Sequence, residues 1–336
     1  MSEKVLVTGA SGFIASHTII DLLNAGYTVR GTVRDLARVE KLKTMFAQHT
    51  DKTDQLEFVA ATLTDSACWE TAMSGCSGVF HIASPVPVAQ PDNPDDLIIP
   101  AREGTLNVLR AARAANIKRV VLTSSVAAIT GNSQPAGHLN SASDWTDPGL
   151  PGLTPYVLSK TAAERAAWDF VADGGPELVT VNPALVLGPA LEADYGSSLE
   201  VLALMMRGKY PLVPKIGFGI VDVRDVASLH RIAFEHPDAV GQRLIASNGF
   251  MWMLEVADVL RKTFPDYQGK LPKRHLPNLI VRLLSRFDKV LATIVKDVGK
   301  VKDFDNQPAL DLGWQPRGPV DAINAGGKSL IETGVV

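Results

Sequence analysis

Short apolar runs rich in β-branched residues alternate along this chain with stretches whose apolar positions recur every three or four residues. Lys4–Thr8 reads KVLVT without polar alternation, which predicts a strand buried on both faces of a parallel sheet. Ile14, Ile19, Ile20, Leu22 and Leu23 follow at helical spacing, Gly26 ends that helix, and Tyr27–Val33 reads as a second strand. Leu56–Ala60, Gly78–Ile82 and Arg119–Thr123 predict strands three to five, and Glu177–Asn182 a sixth that Pro183 ends. Helices are predicted over Glu103–Ala115, stopped by Asn116, and over Tyr156–Ala172, stopped by Gly174-Gly175. Strands alternating with helices indicate βαβ units, and hence an α/β protein built on a Rossmann doubly wound parallel sheet.

The rhythm changes at Gly188. Prolines and glycines scatter through Gly188–Gly219 around one short helix, Leu199–Arg207. Val223–His236 returns to a clean helix, Gly241–Ala246 reads as a late strand, and the chain after Phe250 is helical and irregular. The expected organisation is a sheet domain over 1–187, to which 221–248 returns. A smaller, mostly helical C-terminal substrate domain is expected from 188–220 and 249–336. No internal repeat of about 20–50 residues is visible.

Composition narrows the class. The 336 residues are 46% apolar and 21% charged, which excludes a disordered, collagenous or disulfide-scaffold protein. Lys and Arg number 33 against 36 Asp and Glu, a balance of −3, so no basic excess points to nucleic acid. Cys68 and Cys76 are too few for a disulfide framework and fit a reducing compartment. The start, MSEKVLVTGASG, lacks the apolar run of a signal peptide, and no run of about 18 apolar residues predicts a membrane span, so a cytoplasmic location is expected. Seven histidines are scattered without metal-like spacing, so no metal is assigned, and His81, ending a buried strand, reads as structural.

The first candidate chemistry is Val7-Thr8-Gly9-Ala10-Ser11-Gly12-Phe13-Ile14-Ala15, between a strand and a helix. Gly9 permits a tight turn, Gly12 lets the backbone approach a phosphate, and Ala15 keeps the helix near the sheet. The helix N-terminus then presents free N–H groups to a pyrophosphate, which places Ser11, Phe13 and Ile14 with the two glycines as dinucleotide-binding residues. An NAD site usually carries an acid at the end of the second strand, but here the chain reads Gly31-Thr32-Val33-Arg34. Arg34 suits a 2′-phosphate, Lys41 adds a second cation, and Asp35 lies beside them. The cofactor read from this is NADP(H); the plainer alternative for Arg34 is a solvated loop arginine.

The second is Tyr156-Val157-Leu158-Ser159-Lys160, where positions i and i+4 share a helix face. A neighbouring ammonium favours the phenolate and makes tyrosine a workable acid/base. Thr123-Ser124-Ser125 follows an apolar strand, at the sheet edge where α/β proteins bind ligands. A serine hydroxyl there holds a substrate oxygen beside Tyr156, or else caps a turn.

At these residues the chain resembles the extended short-chain dehydrogenase/reductases. The closest branch is that of dihydroflavonol 4-reductase, cinnamoyl-CoA reductase and yeast-type carbonyl reductase. VLVTGASGFIASH, GTVRD, GVFHIASPV, VVLTSSVAA, YVLSK and VNPALVLGP follow in that branch's order. The likeness spans about residues 4–250 and is thin afterwards, apart from Leu312-Gly313-Trp314. It implies that Ser125 polarises a substrate carbonyl, Tyr156 delivers a proton, and Lys160 lowers the tyrosine and holds the nicotinamide ribose. It also implies that Arg34 and Lys41 meet the 2′-phosphate, and that Ile82-Ala83-Ser84 and Thr123 lie along the cofactor. Pro183, the backbone of Val186 and Ser198 are implied near the nicotinamide. Thr62-Leu63 stands where the family usually has Asp-Leu, so the carboxylate contact to adenine is altered at that cofactor-binding pair, with Asp65 close by.

The reading is an NADPH-dependent reduction of an aldehyde or ketone to an alcohol, by a monomer or homodimer. Two alternatives stay open. Nucleotide-sugar dehydratases usually carry an acid pair after the serine, where Val126-Ala127 stands; non-catalytic NADP(H) sensors typically lack the Tyr-Lys pair. The proline-rich loop Ser84–Pro94, with Leu185, Tyr195 and Met206, suggests an apolar pocket for a hydrophobic carbonyl substrate. Segment 270–302 holds nine Lys and Arg against two acids around Leu279, Leu283 and Leu284, and reads as a solvated amphipathic face rather than a membrane surface.

Overall fold

Val5, Leu6 and Val7 carry no exposed surface, as a strand covered on both faces requires. The computed structural model describes residues 2–85, 91–135, 137–287 and 289–336, apart from the side chains of 289 and 290. The first half runs β1 (Lys4–Val7), α1 (Phe13–Ala25), β2 (Thr28–Val33), α2 (Val39–Ala47), β3 (Leu56–Ala60), α3 (Cys68–Met73), β4 (Gly78–His81), α4 (Asp95–Ala114) and β5 (Arg119–Thr123). Next come α5 (Ala127–Thr130), β6 (Leu139–Asn140), α6 (Pro155–Ala172), β7 (Glu177–Pro183), β8 (Leu185–Leu187), α7 (Gly196–Met206), β9 (Gly217–Asp222), α8 (Val223–Glu235) and β10 (Arg243–Ala246). The chain closes with β11 (Phe250–Trp252), α9 (Met253–Thr263), α10 (Asn278–Leu284), α11 (Lys289–Ile294), β12 (Asp303–Phe304), α12 (Gln307–Asp311) and α13 (Pro319–Glu332).

Seven strands form one sheet in the order β10-β7-β5-β4-β1-β2-β3, every pairing parallel. The chain winds outward from β1 to β3 and then returns to β4. Strand order therefore reverses between β1 and β4, and their carboxyl ends border the crevice where such sheets take ligands. Ile19 and Leu22 of α1 pack with Val226 and Leu229 of α8 on one face. Trp69, Val108 and Ala167 of α3, α4 and α6 cover the other. A separate core joins Leu199, Leu202 and Met205 of α7 to Val256 and Leu260 of α9 and Leu330 of α13.

Three elements depart from the sequence reading. Helix α4 begins at Asp95 rather than Glu103, running through Pro100. Two first-turn carboxylates complement its dipole, and buried Leu97 and Ala101 offset the hydrogen bond that proline removes. Strands β8, β9 and β11, none of which the sequence reading predicts, form a second, three-stranded sheet that flanks the proline- and glycine-rich stretch. Its glycines are packing contacts: a Cβ on Gly219 would lie 2.6 Å from Ser247 Oγ. Third, the apolar residues of α10 other than Val281 face outward. Val281 is buried, while Leu279 is 79% exposed and Phe287, just beyond the helix, 84%. Among the described residues, no helix is long and apolar enough to cross a membrane.

Candidate active site

The loop after β1 is shaped by close backbone approach. Gly9 has φ +72°, and a Cβ there would sit 3.0 Å from Ala83 Cβ at the end of β4. The Gly9 amide donates to Thr32 Oγ1 at 2.9 Å and the Ala10 amide to the Thr32 carbonyl at 2.8 Å, tying the loop to β2. Thr8 ties it to β4, its hydroxyl oxygen accepting from the amides of Ile82 and Ala83, each at 2.9 Å. With both lone pairs engaged, that hydroxyl gives its proton to His81 Nδ1, 2.9 Å away, leaving the imidazole neutral with its proton on Nε2. The amides that open α1 carry no side-chain cap, and its first turn holds no acid. A dinucleotide pyrophosphate fits this uncapped terminus, where N–H groups and the positive dipole end converge.

At the carboxyl end of β5 the two serines face different partners. Ser124 is buried, and its hydroxyl donates to Glu164 Oε2 at 2.5 Å. Ser125 accepts from the Ala127 amide at 3.1 Å and is hydrogen-bonded to the Tyr156 phenol. Tyr156 opens α6, which Thr154 caps by accepting from the Val157 amide. One turn on, Lys160 is buried. Burial lowers its pKa to about 8, against the attraction of Glu164. Burial raises the Tyr156 phenol, and the bond from Ser125 works the other way. The bond from Ser125 thus works in the direction that the sequence reading assigns to Lys160.

The remaining predicted residues fall around the crevice. Ala83 and Pro183 end the segments that follow β4 and close β7, and the Pro183 carbonyl accepts from the Val126 amide at 3.0 Å, next to Ser125. Thr123, the last residue of β5, pairs with His230 Nε2 at 2.6 Å instead of facing outward. Since His230 Nδ1 lies 2.7 Å from the Val226 carbonyl and must donate to it, Nε2 accepts the Thr123 proton. Val186 is buried in β8, and Ser198 lies in the first turn of α7, whose opening Gly196 abuts Phe13. Leu63 packs against Gly104 and its carbonyl accepts from Asn107, while Thr62 is exposed beside it. Asp65 caps the Ala67 amide at 3.0 Å.

The charges beyond β2 are arranged differently from the sequence reading. Arg34 is exposed, and Asp35 is occupied in capping the Ala37 amide at 2.9 Å. Lys41 lies 2.6 Å from Glu192, between β8 and α7. Arg38, not singled out from the sequence, joins the same cluster at 3.5 Å from Glu192 and 3.4 Å from Asp194. Of the pocket residues, Leu185 is partly exposed, the Tyr195 hydroxyl donates to Glu200, and Met206 is fully buried in the core that α7 shares with α9 and α13. Pro87 and the rest of residues 86–90 in the proline-rich loop lie outside the described residues.

An uncapped glycine loop thus stands at a strand-order reversal, beside a Ser-Tyr-Lys cluster. Residues 5–246 match the model of the NAD dependent epimerase/dehydratase family. The chain belongs to this family. Within the epimerase/dehydratase family it is similar to "Cinnamoyl-CoA reductase CAD2" of Medicago truncatula, 38% identical over 82% of this chain and 84% of that one. It is also similar to dihydroflavonol 4-reductase of Hordeum vulgare, 34% identical over 78% of this chain and 75% of that one. Among solved structures it resembles yeast methylglyoxal/isovaleraldehyde reductase Gre2 complexed with NADPH. That likeness has a TM-score of 0.82 and 27% identity, and it covers 99% of this chain and 100% of that one. The family's fold, a seven-stranded parallel sheet between helices, is the fold seen here.

Proposed function

We propose that this chain is an NADPH-dependent reductase that converts an aldehyde or ketone, of apolar character, to the alcohol. The reductase relatives and the NADPH-bound neighbour support the coarse reading of an NADP(H)-dependent oxidoreductase acting on a carbonyl. The observation that carries the mechanism is the Ser125–Tyr156 hydrogen bond, with Lys160 one helical turn further along the same helix.

NADPH held at the glycine loop and the α1 N-terminus would supply the hydride for the carbonyl carbon. The Ser125 hydroxyl donates to the carbonyl oxygen and stabilises the charge that develops there. Tyr156 transfers its phenolic proton to that oxygen, completing the alcohol. Lys160, as an ammonium, holds the ribose hydroxyls and favours the phenolate left behind. A proton from solvent restores Tyr156, so each turnover consumes one carbonyl, one NADPH and one proton. Arg34, Arg38 and Lys41 provide the cationic surface for a 2′-phosphate.

The test is the rate of NADPH oxidation with a panel of aryl and alkyl aldehydes and ketones beside UDP- and GDP-sugars. Turnover of the apolar carbonyls alone is the expected result. Equal or better turnover of a nucleotide sugar would move the chain to the epimerase class.

A further inference from the structure

Helix α6 carries a third polar residue on the face of Tyr156 and Lys160, one turn beyond the lysine. Glu164 has no exposed side-chain surface. Its Oε2 accepts from Ser124 Oγ at 2.5 Å and Asn182 Nδ2 at 2.8 Å. Its Oε1 accepts from Arg243 Nε at 2.7 Å and lies 3.1 Å from Thr180 Oγ1. Asn182 uses its second N–H on the Ser125 carbonyl at 3.2 Å. One carboxylate thus grips the strand end bearing Ser125 twice, through Ser124 and through Asn182. Arg243, from β10, lies over the Trp145 ring at 3.7 Å and donates to the carbonyls of Ala142 and Asp144, so the pair is fixed from both sides.

We infer that Glu164 is a positioning residue for carbonyl reduction: its buried carboxylate, charge-balanced by Arg243, holds the strand end bearing Ser125 in its working arrangement and sets a negative charge one helical turn from Lys160. The inference rests on the reading of Ser125, Tyr156 and Lys160 given above. Burying an ion pair is costly, and breaking one is costlier still, so a carboxylate kept here with both oxygens filled is a candidate for more than stability. Its electrostatic consequence falls on Lys160. The groups around that lysine are Tyr156 and Glu164 on its own helix and His81 from β4, and burial keeps His81 neutral, at about 3. Glu164 is therefore the acid that, among the described residues, offsets the desolvation of Lys160.

Glu164→Gln keeps the shape and removes the charge. The alkaline limb of kcat/KM for NADPH, which reports the free enzyme, should move down by about one pH unit or more, with kcat lowered about tenfold or more. Glu164→Asp keeps the charge on a shorter arm and should leave the limb near its wild-type position while kcat still falls. If Glu164→Gln does not fold, the double variant Glu164→Gln/Arg243→Gln removes both ions together and should show the same displaced limb. A folded Glu164→Gln or double variant with wild-type kcat and an unmoved limb would overturn the inference. Tyr156→Phe run in parallel separates the two failures. If it retains full activity, the catalytic reading itself falls. If it is inactive while Glu164→Gln is unaffected, only the positioning role falls.

Discussion

A phenol that must give up its proton near neutrality is opposed by its own burial, and Tyr156 shows that opposition directly. Packing raises it, and the hydroxyl of Ser125 pulls it back. Tyr156→Phe keeps the ring and the helix but removes the proton donor. NADPH binding should survive, while kcat should fall by about 10²–10⁴. Ser125→Ala removes one donor to the developing oxyanion and should cost about 10²–10³ in kcat. Rates measured on both purified variants check this; a Tyr156→Phe protein at wild-type rate would remove Tyr156 as the proton donor. Lys160 sets the pH dependence. Its pKa of about 8 leaves it an ammonium at neutral pH and neutral in alkali. Because the charged form is the working one, kcat/KM for NADPH should fall as pH rises through about 8, and a profile flat to about pH 10 would contradict it.

Elements differ in how openly the sequence displays them. The glycine loop was legible because its demands are local: a positive φ at Gly9, and a close approach at Gly31, where a Cβ would meet Ala10 Cβ at 2.7 Å. The Tyr156–Lys160 pair was legible because a helix brings i and i+4 together whatever surrounds it. Arg243 and Glu164 are 79 residues apart and meet because β10 pairs with β7, beside which α6 packs, so no spacing rule reveals them. The hint present was polar Thr180 and Asn182 on one side of a strand that is apolar elsewhere beyond its first residue, Glu177. Strands β8, β9 and β11 were hidden because β8 and β11 are three residues long and border glycines or prolines, while β9 carries glycines of its own, all of which read as loops. The cationic cluster after β2 was half legible. Arg34 and Lys41 follow from the strand end, but the acids that hold Arg38 and Lys41 come from the segment before α7. Arg34→Asp removes a phosphate partner and adds repulsion. It should lower the preference for NADPH over NADH by about 2 kcal/mol or more, read from the ratio of kcat/KM for the two cofactors. Equal losses with both cofactors would take Arg34 out of 2′-phosphate recognition.

At the scale of the molecule, three buried histidines tie the sheet to its surroundings, and all are held neutral. His17 reaches the Pro189 carbonyl at 2.9 Å, His81 accepts from Thr8, and His230 joins Thr123 to Val226. Burial lowers His17 and His230 to about 4 and His81 to about 3. An unfolded histidine takes up its proton near 6.5, so below that pH the unfolded chain binds protons that the folded chain refuses. Stability is therefore intact above about pH 6.5 and is lost as pH falls toward the folded values, by about 1.4 kcal/mol per pH unit for each histidine. Three together approach about 4 kcal/mol per unit, a large share of a total of about 5–15 kcal/mol. Asp225, whose carboxyl burial raises, works in the opposite direction but is a single group. Paired carboxylates such as Glu57, held below the ordinary value by Lys4 and Arg30, add their loss only at still lower pH. The chain should thus weaken between pH 6.5 and 5, well before its carboxylates protonate. Urea unfolding midpoints at pH 7.5, 6.5, 5.5 and 5.0 would measure it, and midpoints that stay level across that range would show that these imidazoles accept protons without breaking the contacts they make.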